Sequence, residues 1–165
     1  MSKNVMVIGT GTIGEPLIGL LAEHKDALGL EEILFFKRTP LSDEKGKVEA
    51  LLRKGAKIVS TSDVISDFKK LGFSDIEDVE KTYKDVGVII DCTPSGNENW
   101  ENIYSTLDQS KRFMAQGSEH GFGPFFAWGI NNDVLENESN KYLIASCNTH
   151  NIASIIKTFA LDQSR

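Results

Sequence analysis

The sequence predicts an α/β fold in which a doubly wound, mostly parallel sheet is covered by crossover helices. Short and almost wholly apolar runs alternate along the chain with longer runs of helical periodicity, as expected for strands that are buried on both faces. The first apolar run leads through a glycine-rich turn directly into a helical run. At 165 residues the chain has the length of one domain with a sizeable core.

Local signals in the sequence support each predicted element. Pro16 fits the first turn of the helix after the first strand, where its missing N–H costs little. The polar stretch 61–84 is ambiguous and predicts short helices around 64–65 and 76–79. The stretch 117–140 is predicted to be irregular, and it is longer than compact domains usually tolerate. The predicted strands are 5–8, 33–36, 57–59, 86–92, 112–115 and 141–145, and the remaining predicted helices are 43–54, 97–107 and the region from 147 onward.

Composition excludes several classes of function. Eighteen basic against 24 acidic side chains give a net charge of −6, which argues against general nucleic-acid binding. Two cysteines make no disulfide framework and lie in no metal-binding spacing, so no metal site is expected. The N-terminus lacks signal-peptide features, and no apolar run is long enough to span a membrane. A cytoplasmic, reducing location is therefore expected, with no membrane partner.

The glycine-rich turn has the spacing of a dinucleotide-binding motif, Gly9-Thr10-Gly11-Thr12-Ile13-Gly14. In this motif the first glycine permits the tight turn, the second lets a pyrophosphate approach the backbone, and the third allows the helix to pack closely on the strand. The alternative is a glycine turn that serves packing alone. The motif follows a strand and opens a helix, so we predict a Rossmann-like cofactor site that includes Gly9, Gly11, Thr12, Ile13 and Gly14.

The end of the second predicted strand indicates which dinucleotide is bound. NAD sites commonly place a carboxylate here to bind the ribose 2′-hydroxyl, but this chain has Lys37, Arg38 and Thr39. Two cations and a hydroxyl suit a 2′-phosphate better, which favours NADP while leaving NAD open. A solvated loop end is the alternative interpretation.

Two further segments follow predicted strands and carry candidate site residues. Thr93 comes directly after the central strand, at the edge where open α/β sheets bind ligands, whereas Cys92 is expected to pack structurally beneath the sheet. Cys147 lies where the last strand passes into a helix, and the N-terminal N–H groups and dipole of a helix favour the thiolate nucleophile. His150, one helical turn later, either polarises that thiol or binds backbone. The alternative for Cys147 is a small buried apolar residue.

Five segments together resemble the archaeal-type glyceraldehyde-3-phosphate dehydrogenases. The resemblance covers nearly the whole chain, and the cysteine segment is its specific part. The matching segments are Gly9-Thr10-Gly11-Thr12-Ile13-Gly14, Lys37-Arg38-Thr39-Pro40, Asp91-Cys92-Thr93-Pro94, Gln116-Gly117-Ser118-Glu119 and Ser146-Cys147-Asn148-Thr149.

The resemblance implies a chemistry and further site residues. Cys147 would attack an aldehyde to give a thiohemiacetal, hydride would pass to the nicotinamide, and inorganic phosphate would cleave the thioester to an acyl phosphate. Asn148 and Thr149 would bind the substrate or phosphate, and the family motif continues with a threonine and a glycine where this chain has His150 and Asn151. The resemblance adds Pro94, Gln116 and Gly117 to the cofactor site.

The resemblance also implies a domain organisation. Residues 1–146 would form the dinucleotide-binding domain, and residues 147–165 would begin a C-terminal catalytic domain before which the chain is truncated. Such a domain supplies the general-base histidine, so the isolated fragment is expected to be inactive. The apolar stripe of the last predicted helix would lack its cover, so self-association as a homo-oligomer is also expected. Two alternatives stay open: a related aldehyde dehydrogenase of the aspartate-semialdehyde type, and a non-catalytic nucleotide-binding or redox-sensing module.

Overall fold

The computed structural model describes residues 2–116 and 119–161. Its eight strands form one sheet in which every neighbouring pair is parallel. The order across the sheet is β4-β3-β2-β1-β5-β6-β8-β7. The strands are β1 (Val5–Ile8), β2 (Ile33–Phe36), β3 (Lys57–Ser60), β4 (Ile76–Asp78), β5 (Val88–Asp91), β6 (Arg112–Gln116), β7 (Phe125–Phe126) and β8 (Lys141–Ile144).

Helices connect the strands and cover both faces of the sheet. Three short 3₁₀ helices, Tyr83–Asp85, Tyr104–Thr106 and Asn132–Glu136, lie in the connections, and the last helix continues as a π-helical turn at Lys157–Leu161. No helix in the described ranges is both long enough and apolar enough to cross a bilayer. The α-helices are α1 (Gly14–His24), α2 (Lys45–Arg53), α3 (Ile65–Lys70), α4 (Val79–Thr82), α5 (Gly96–Asn102) and α6 (Cys147–Ile156).

The core consists of two apolar layers separated by the sheet. Alternate residues of a strand point to opposite faces, so Val5 and Val7 enter one layer while Met6 and Ile8 enter the other. The first layer is completed by side chains of α1, α2 and α3, and the second by side chains of α4, α5 and β6. Burial on both faces explains why β1 and β2 read as continuous apolar runs rather than alternating ones. The predicted doubly wound α/β fold is confirmed.

The structure corrects the sequence prediction in two regions. Residues Ile76–Asp78 are a strand and not part of a short helix, because they pair with β3 at the edge of the sheet. The predicted irregular stretch contains the two-residue strand β7, which pairs with β8, and a 3₁₀ helix. Gly117 and Ser118, which begin that stretch, lie outside the described residues.

The glycine turn holds α1 tightly against the end of β1. Gly9 has a φ of +94°, a conformation that disfavours any side chain, and a Cβ at this position would lie 3.0 Å from Cγ2 of Thr93. A Cβ on Gly14 would lie 2.0 Å from the carbonyl oxygen of Gly9, closer than any real contact. By contrast, a Cβ on Gly11 would meet no atom within 4 Å. Gly9 and Gly14 are therefore required by the fold, and Gly11 is not.

This contrast predicts how two equivalent substitutions affect stability. Gly14→Ala should lower the free energy of unfolding by about 2 kcal/mol, because overpacked sites must push backbone apart. Gly11→Ala should change it by less than about 0.5 kcal/mol, as is usual for open positions. Urea denaturation followed by circular dichroism measures both. Similar losses for the two variants would contradict the packing described here.

Candidate functional site

The parallel sheet brings the predicted site segments to one edge. Gly9, Lys37, Thr93 and Cys147 each follow the carboxyl end of a strand, namely β1, β2, β5 and β8. Because β1 and β8 are three strand spacings apart, the glycine turn and the cysteine segment are separated by about 14 Å across the sheet. An extended ligand lying along this edge can therefore contact the segments after β1, β2, β5 and β8.

A cleft of about 770 Å³ opens at this edge, beside the point where the strand order reverses. Open α/β sheets bind nucleotides at this reversal point. Five of the predicted residues line it, namely Gly9, Lys37, Arg38, Thr39 and Thr93, and so does Thr10 of the glycine motif. The other lining groups come from α4, α5 and the segments that follow β2 and β5, including Glu44, Tyr83, Ser95, Asn99 and Tyr104.

The middle of the glycine turn, residues 11–13, lies outside the cleft and is exposed. Gly11, Thr12 and Ile13 are exposed, and Ile13, which immediately precedes α1, provides no side-chain cap for the helix. An uncapped helix N-terminus has N–H groups and a positive dipole end available for an anion. The open space at Gly11 leaves room for a phosphate to approach the backbone. These residues fit the pyrophosphate of a dinucleotide.

Asp91 organises the floor of the cleft, a role that the sequence analysis did not assign. The Asp91 carboxylate is fully buried and accepts four hydrogen bonds. One oxygen accepts from the backbone N–H of Thr93 at 2.8 Å and from its hydroxyl at 2.6 Å, and the other accepts from Asn99 and Tyr104, both at 2.7 Å. The only signal in the sequence is an acidic residue at the end of an otherwise apolar strand.

Burial and the charge of Asp91 raise the pKa of two nearby tyrosines. Burial, reinforced by the negative charge of Asp91, raises the pKa of Tyr104 far above its usual range. Burial and then the charges of Asp91 and Glu80 raise the pKa of Tyr83 to about 12. Both phenols line the cleft as neutral groups at physiological pH. The cleft wall therefore combines a neutral aromatic surface with polar groups already fixed in place.

The cations after β2 are not equivalent. Lys37 is buried, and its ammonium forms an ion pair with Glu44, the residue that precedes α2. Arg38 and Thr39 are exposed, and Arg38 forms no ion pair within residues 2–116 and 119–161. Glu44 was missed in the sequence because no motif connects it to Lys37, seven residues earlier. The sequence shows no carboxylate directly after β2, but the fold places the Glu44 carboxylate beside Lys37 there.

Gln116 and Cys92 contact each other beneath the glycine turn. The Gln116 side-chain amide donates to the Cys92 sulfur at 2.8 Å, and Cys92 packs against the core cluster that includes β1 and α1. Burial, with the charge of Asp91 adding to it, raises the pKa of the Cys92 thiol to about 11 despite the opposing effect of the Gln116 hydrogen bond. Neither Gln116 nor Pro94 lines the cleft. The packing role predicted for Cys92 agrees with this placement.

The predicted nucleophile Cys147 is exposed at the first residue of α6. Ser146 caps this helix by accepting from the Thr149 N–H at 3.3 Å, and the two hydroxyls lie 2.9 Å apart. The cap leaves the Cys147 sulfur free, and no side chain in the described part of the chain hydrogen-bonds to it. Asn148 and Thr149 are exposed beside it, although the Thr149 hydroxyl is already engaged with Ser146.

His150 binds backbone, which is one of the two interpretations of this residue. Its Nε2 lies 2.9 Å from the carbonyl oxygen of Trp128 and must donate, because a carbonyl only accepts. Lys157 adds a second contact between the helix and the same loop, donating to the carbonyl of Gly129 at 2.7 Å. These bonds attach α6 to the loop that precedes β8. No three His, Cys, Asp or Glu side chains in residues 2–116 and 119–161 are arranged to hold a metal ion.

Several known proteins that are similar to this chain carry the same name. Glyceraldehyde-3-phosphate dehydrogenase of Pyrobaculum calidifontis is 29% identical over 161 residues, which are 96% of this chain and 44% of that protein. The enzyme of the same name from Pyrobaculum arsenaticum is 30% identical over the same shares, and that from Sulfolobus acidocaldarius is 29% identical over 158 residues, 93% of this chain and 43% of that protein. No protein-family model matches the chain.

These comparisons confirm the resemblance to the archaeal glyceraldehyde-3-phosphate dehydrogenases. The likeness extends over nearly the whole chain, which spans less than half the length of these relatives.

The two thiols should differ strongly in reactivity. With a pKa of about 11, roughly one Cys92 thiol in a thousand is ionised at pH 8, and the side chain is also half-buried. Cys147 is exposed, so iodoacetamide at pH 8 should alkylate it at least tenfold faster. Peptide mass spectrometry measures both rates, and Cys147→Ser should leave only the slow phase. Faster labelling of Cys92 would contradict the placement of the two sulfurs.

Proposed function

We propose that this chain is the NAD(P)-binding part of a phosphorylating aldehyde dehydrogenase that oxidises glyceraldehyde 3-phosphate. One observation carries the proposal: a dinucleotide-type cleft and an exposed cysteine at a helix start occupy the same edge of one parallel sheet. The shared name of its relatives favours glyceraldehyde 3-phosphate over an aspartate semialdehyde. The proposed setting is the cytoplasm, where a reducing environment keeps an exposed thiol free.

In the proposed reaction Cys147 acts as the nucleophile. Its sulfur bonds to the aldehyde carbon, and the carbonyl oxygen takes up a proton to give a thiohemiacetal. The thiohemiacetal then loses the proton from its oxygen and a hydride from its carbon, which gives a thioester. A bound nicotinamide would accept the hydride. Inorganic phosphate then attacks the thioester carbon, releasing the acyl phosphate and restoring the Cys147 thiolate. Asn148 and Thr149 are proposed to bind the phosphate groups beside the sulfur.

The carboxyl edge of the sheet is proposed to position the cofactor. The adenosine end fits the 770 Å³ cleft, and the exposed turn at Gly11, Thr12 and Ile13 binds the pyrophosphate. The segments of Pro94 and Gln116 are proposed to border the path toward Cys147; Gly117, the third residue of this prediction, lies outside the described residues. NADP is favoured because Arg38, exposed in the cleft wall, is available to a 2′-phosphate.

Helix α6 is proposed to begin the catalytic part of the protein, from residue 147 onward. It contains no buried residue, and the large apolar side chains of α6 and of the π-helical turn that continues it are 49–68% exposed. Such a surface favours association, either with a catalytic domain or with a second copy in a homo-oligomer. The exposed stripe consists of Ile152, Ile155, Ile156 and Phe159.

The 165 residues alone should oxidise aldehyde very slowly. The described residues offer Cys147 no hydrogen-bonded base, since Nε2 of His150 is engaged with Trp128. Positioned acid–base groups typically contribute 10²–10⁴-fold in rate. This chain is therefore expected to bind the cofactor but to oxidise aldehyde very slowly.

Cofactor binding should depend on Gly11. Gly11→Val fills the open space where the pyrophosphate approaches the backbone, so the dissociation constant for NADP⁺ should rise at least tenfold, about 1.4 kcal/mol. Isothermal titration calorimetry measures the constant. Gly46→Val is the matched control, because Gly46 is equally open but lies on α2 outside the cleft. Unchanged binding by Gly11→Val, or equal losses in both variants, would remove the glycine turn from the site.

A further inference from the structure

The wall of the proposed cofactor cleft contains the ion pair between Lys37 and Glu44. Both residues line this cleft and also a smaller neighbouring cavity. The Lys37 ammonium and the Glu44 carboxylate both line the cleft, with exposures of only 7% and 28%. A pair so shielded from water is stronger than a surface pair and less easily exchanged for another partner. The charge that Lys37 offers to a ligand is therefore largely satisfied by Glu44 already.

Both members of the pair are held by backbone hydrogen bonds. The Lys37 N–H donates to Val59 at 3.1 Å, and its carbonyl accepts from the Ser60 hydroxyl at 2.7 Å, which fixes it between β2 and β3. The Glu44 N–H donates to Leu41 at 3.3 Å, and its carbonyl accepts from Val48 at the start of α2. The carboxylate is thus fixed in the cleft wall rather than carried on a mobile loop.

The charges around the pair nearly cancel. Lys47 and Glu15 form a second pair nearby at 3.6 Å, and both flank the small cavity behind Lys37 and Glu44. Of the two cations directly after β2, Lys37 is paired and Arg38 has no ion-pair partner in the described ranges. A ribose 2′-phosphate would therefore meet one free cation and one fixed carboxylate, whereas a 2′-hydroxyl would meet a carboxylate that accepts its hydrogen bond.

We propose that Glu44 determines cofactor choice: its carboxylate accepts from the ribose of NAD and holds Lys37 away from the 2′-phosphate of NADP, limiting the preference for NADP. This inference rests on the proposed dinucleotide site and assigns its specificity to a residue outside the strand-end motif. Removing the negative charge frees Lys37 for the 2′-phosphate and takes away a repulsive neighbour. Both effects strengthen NADP binding, whereas NAD gains nothing and can lose its hydrogen bond to the carboxylate, so the ratio of the two affinities changes.

The test compares Glu44→Gln with Glu49→Gln by calorimetry with NAD⁺ and NADP⁺ at one low ionic strength. Glu49 is also acidic and also pairs with a lysine, at 3.8 Å, but it does not line the cleft. Glu44→Gln should tighten NADP⁺ about tenfold, or 1.4 kcal/mol, while NAD⁺ binding stays the same or weakens. Glu49→Gln should leave both constants within about twofold.

A second variant keeps the test decisive if Glu44→Gln fails to fold. Lys37→Met retains the long side chain and leaves Glu44 unopposed, so NADP⁺ should weaken at least tenfold more than NAD⁺. A parent chain that binds neither dinucleotide would refute the proposed function itself. A parent that binds both, with an NAD⁺ to NADP⁺ affinity ratio unchanged in either folded variant, would refute the role of Glu44 alone.

Discussion

Parallel pairing of β1 with β2 on one side and β5 on the other is the constraint on which the rest of the structure depends. Since all neighbouring strands run the same way, their carboxyl ends meet at one edge, and the loops after β1, β2, β5 and β8 meet there too. Burial on both faces fixes this register, because a slip of one residue would exchange the two apolar layers. The position of the site thus follows from how the core is packed.

Two local arrangements connect that core to the cleft. Gly14 packs so closely on Gly9 that the glycine turn can take only one position relative to β1. Asp91 ends β5 inside the core, and its four hydrogen bonds hold the Thr93 loop and α5 at the cleft floor. A buried carboxylate so fully satisfied orients its donors at little cost. The ligand-facing surface is therefore preorganised by groups that need not touch the ligand.

Elements set by local pattern could be predicted from the sequence, and those set by distant contacts could not. Strands β1, β2 and β8 and the glycine turn were predicted because continuous apolar runs and glycine spacing are local signals. Strand β4 was missed because pairing at the sheet edge, not apolar character, makes Ile76–Asp78 extended. The Lys37–Glu44 pair and the bond from His150 to Trp128 join residues 7 and 22 positions apart, which no motif encodes. The first contact bears on the proposed cofactor choice, and the second supports the backbone-binding interpretation of His150. Cys147 lies at the start of α6, where the sequence places it.

We propose that a dinucleotide lying along this edge brings its reactive end to Cys147. The most direct test is the rate of Cys147 alkylation by iodoacetamide at increasing NADP⁺, compared with adenosine 2′,5′-bisphosphate, which fills the adenosine cleft alone. NADP⁺ should slow alkylation severalfold with a midpoint at its calorimetric dissociation constant, because the nicotinamide end would cover the exposed sulfur. The bisphosphate should bind without slowing it, since the sulfur lies about 14 Å across the sheet from the glycine turn. A rate of Cys147 alkylation that does not change at saturating NADP⁺ would contradict the account.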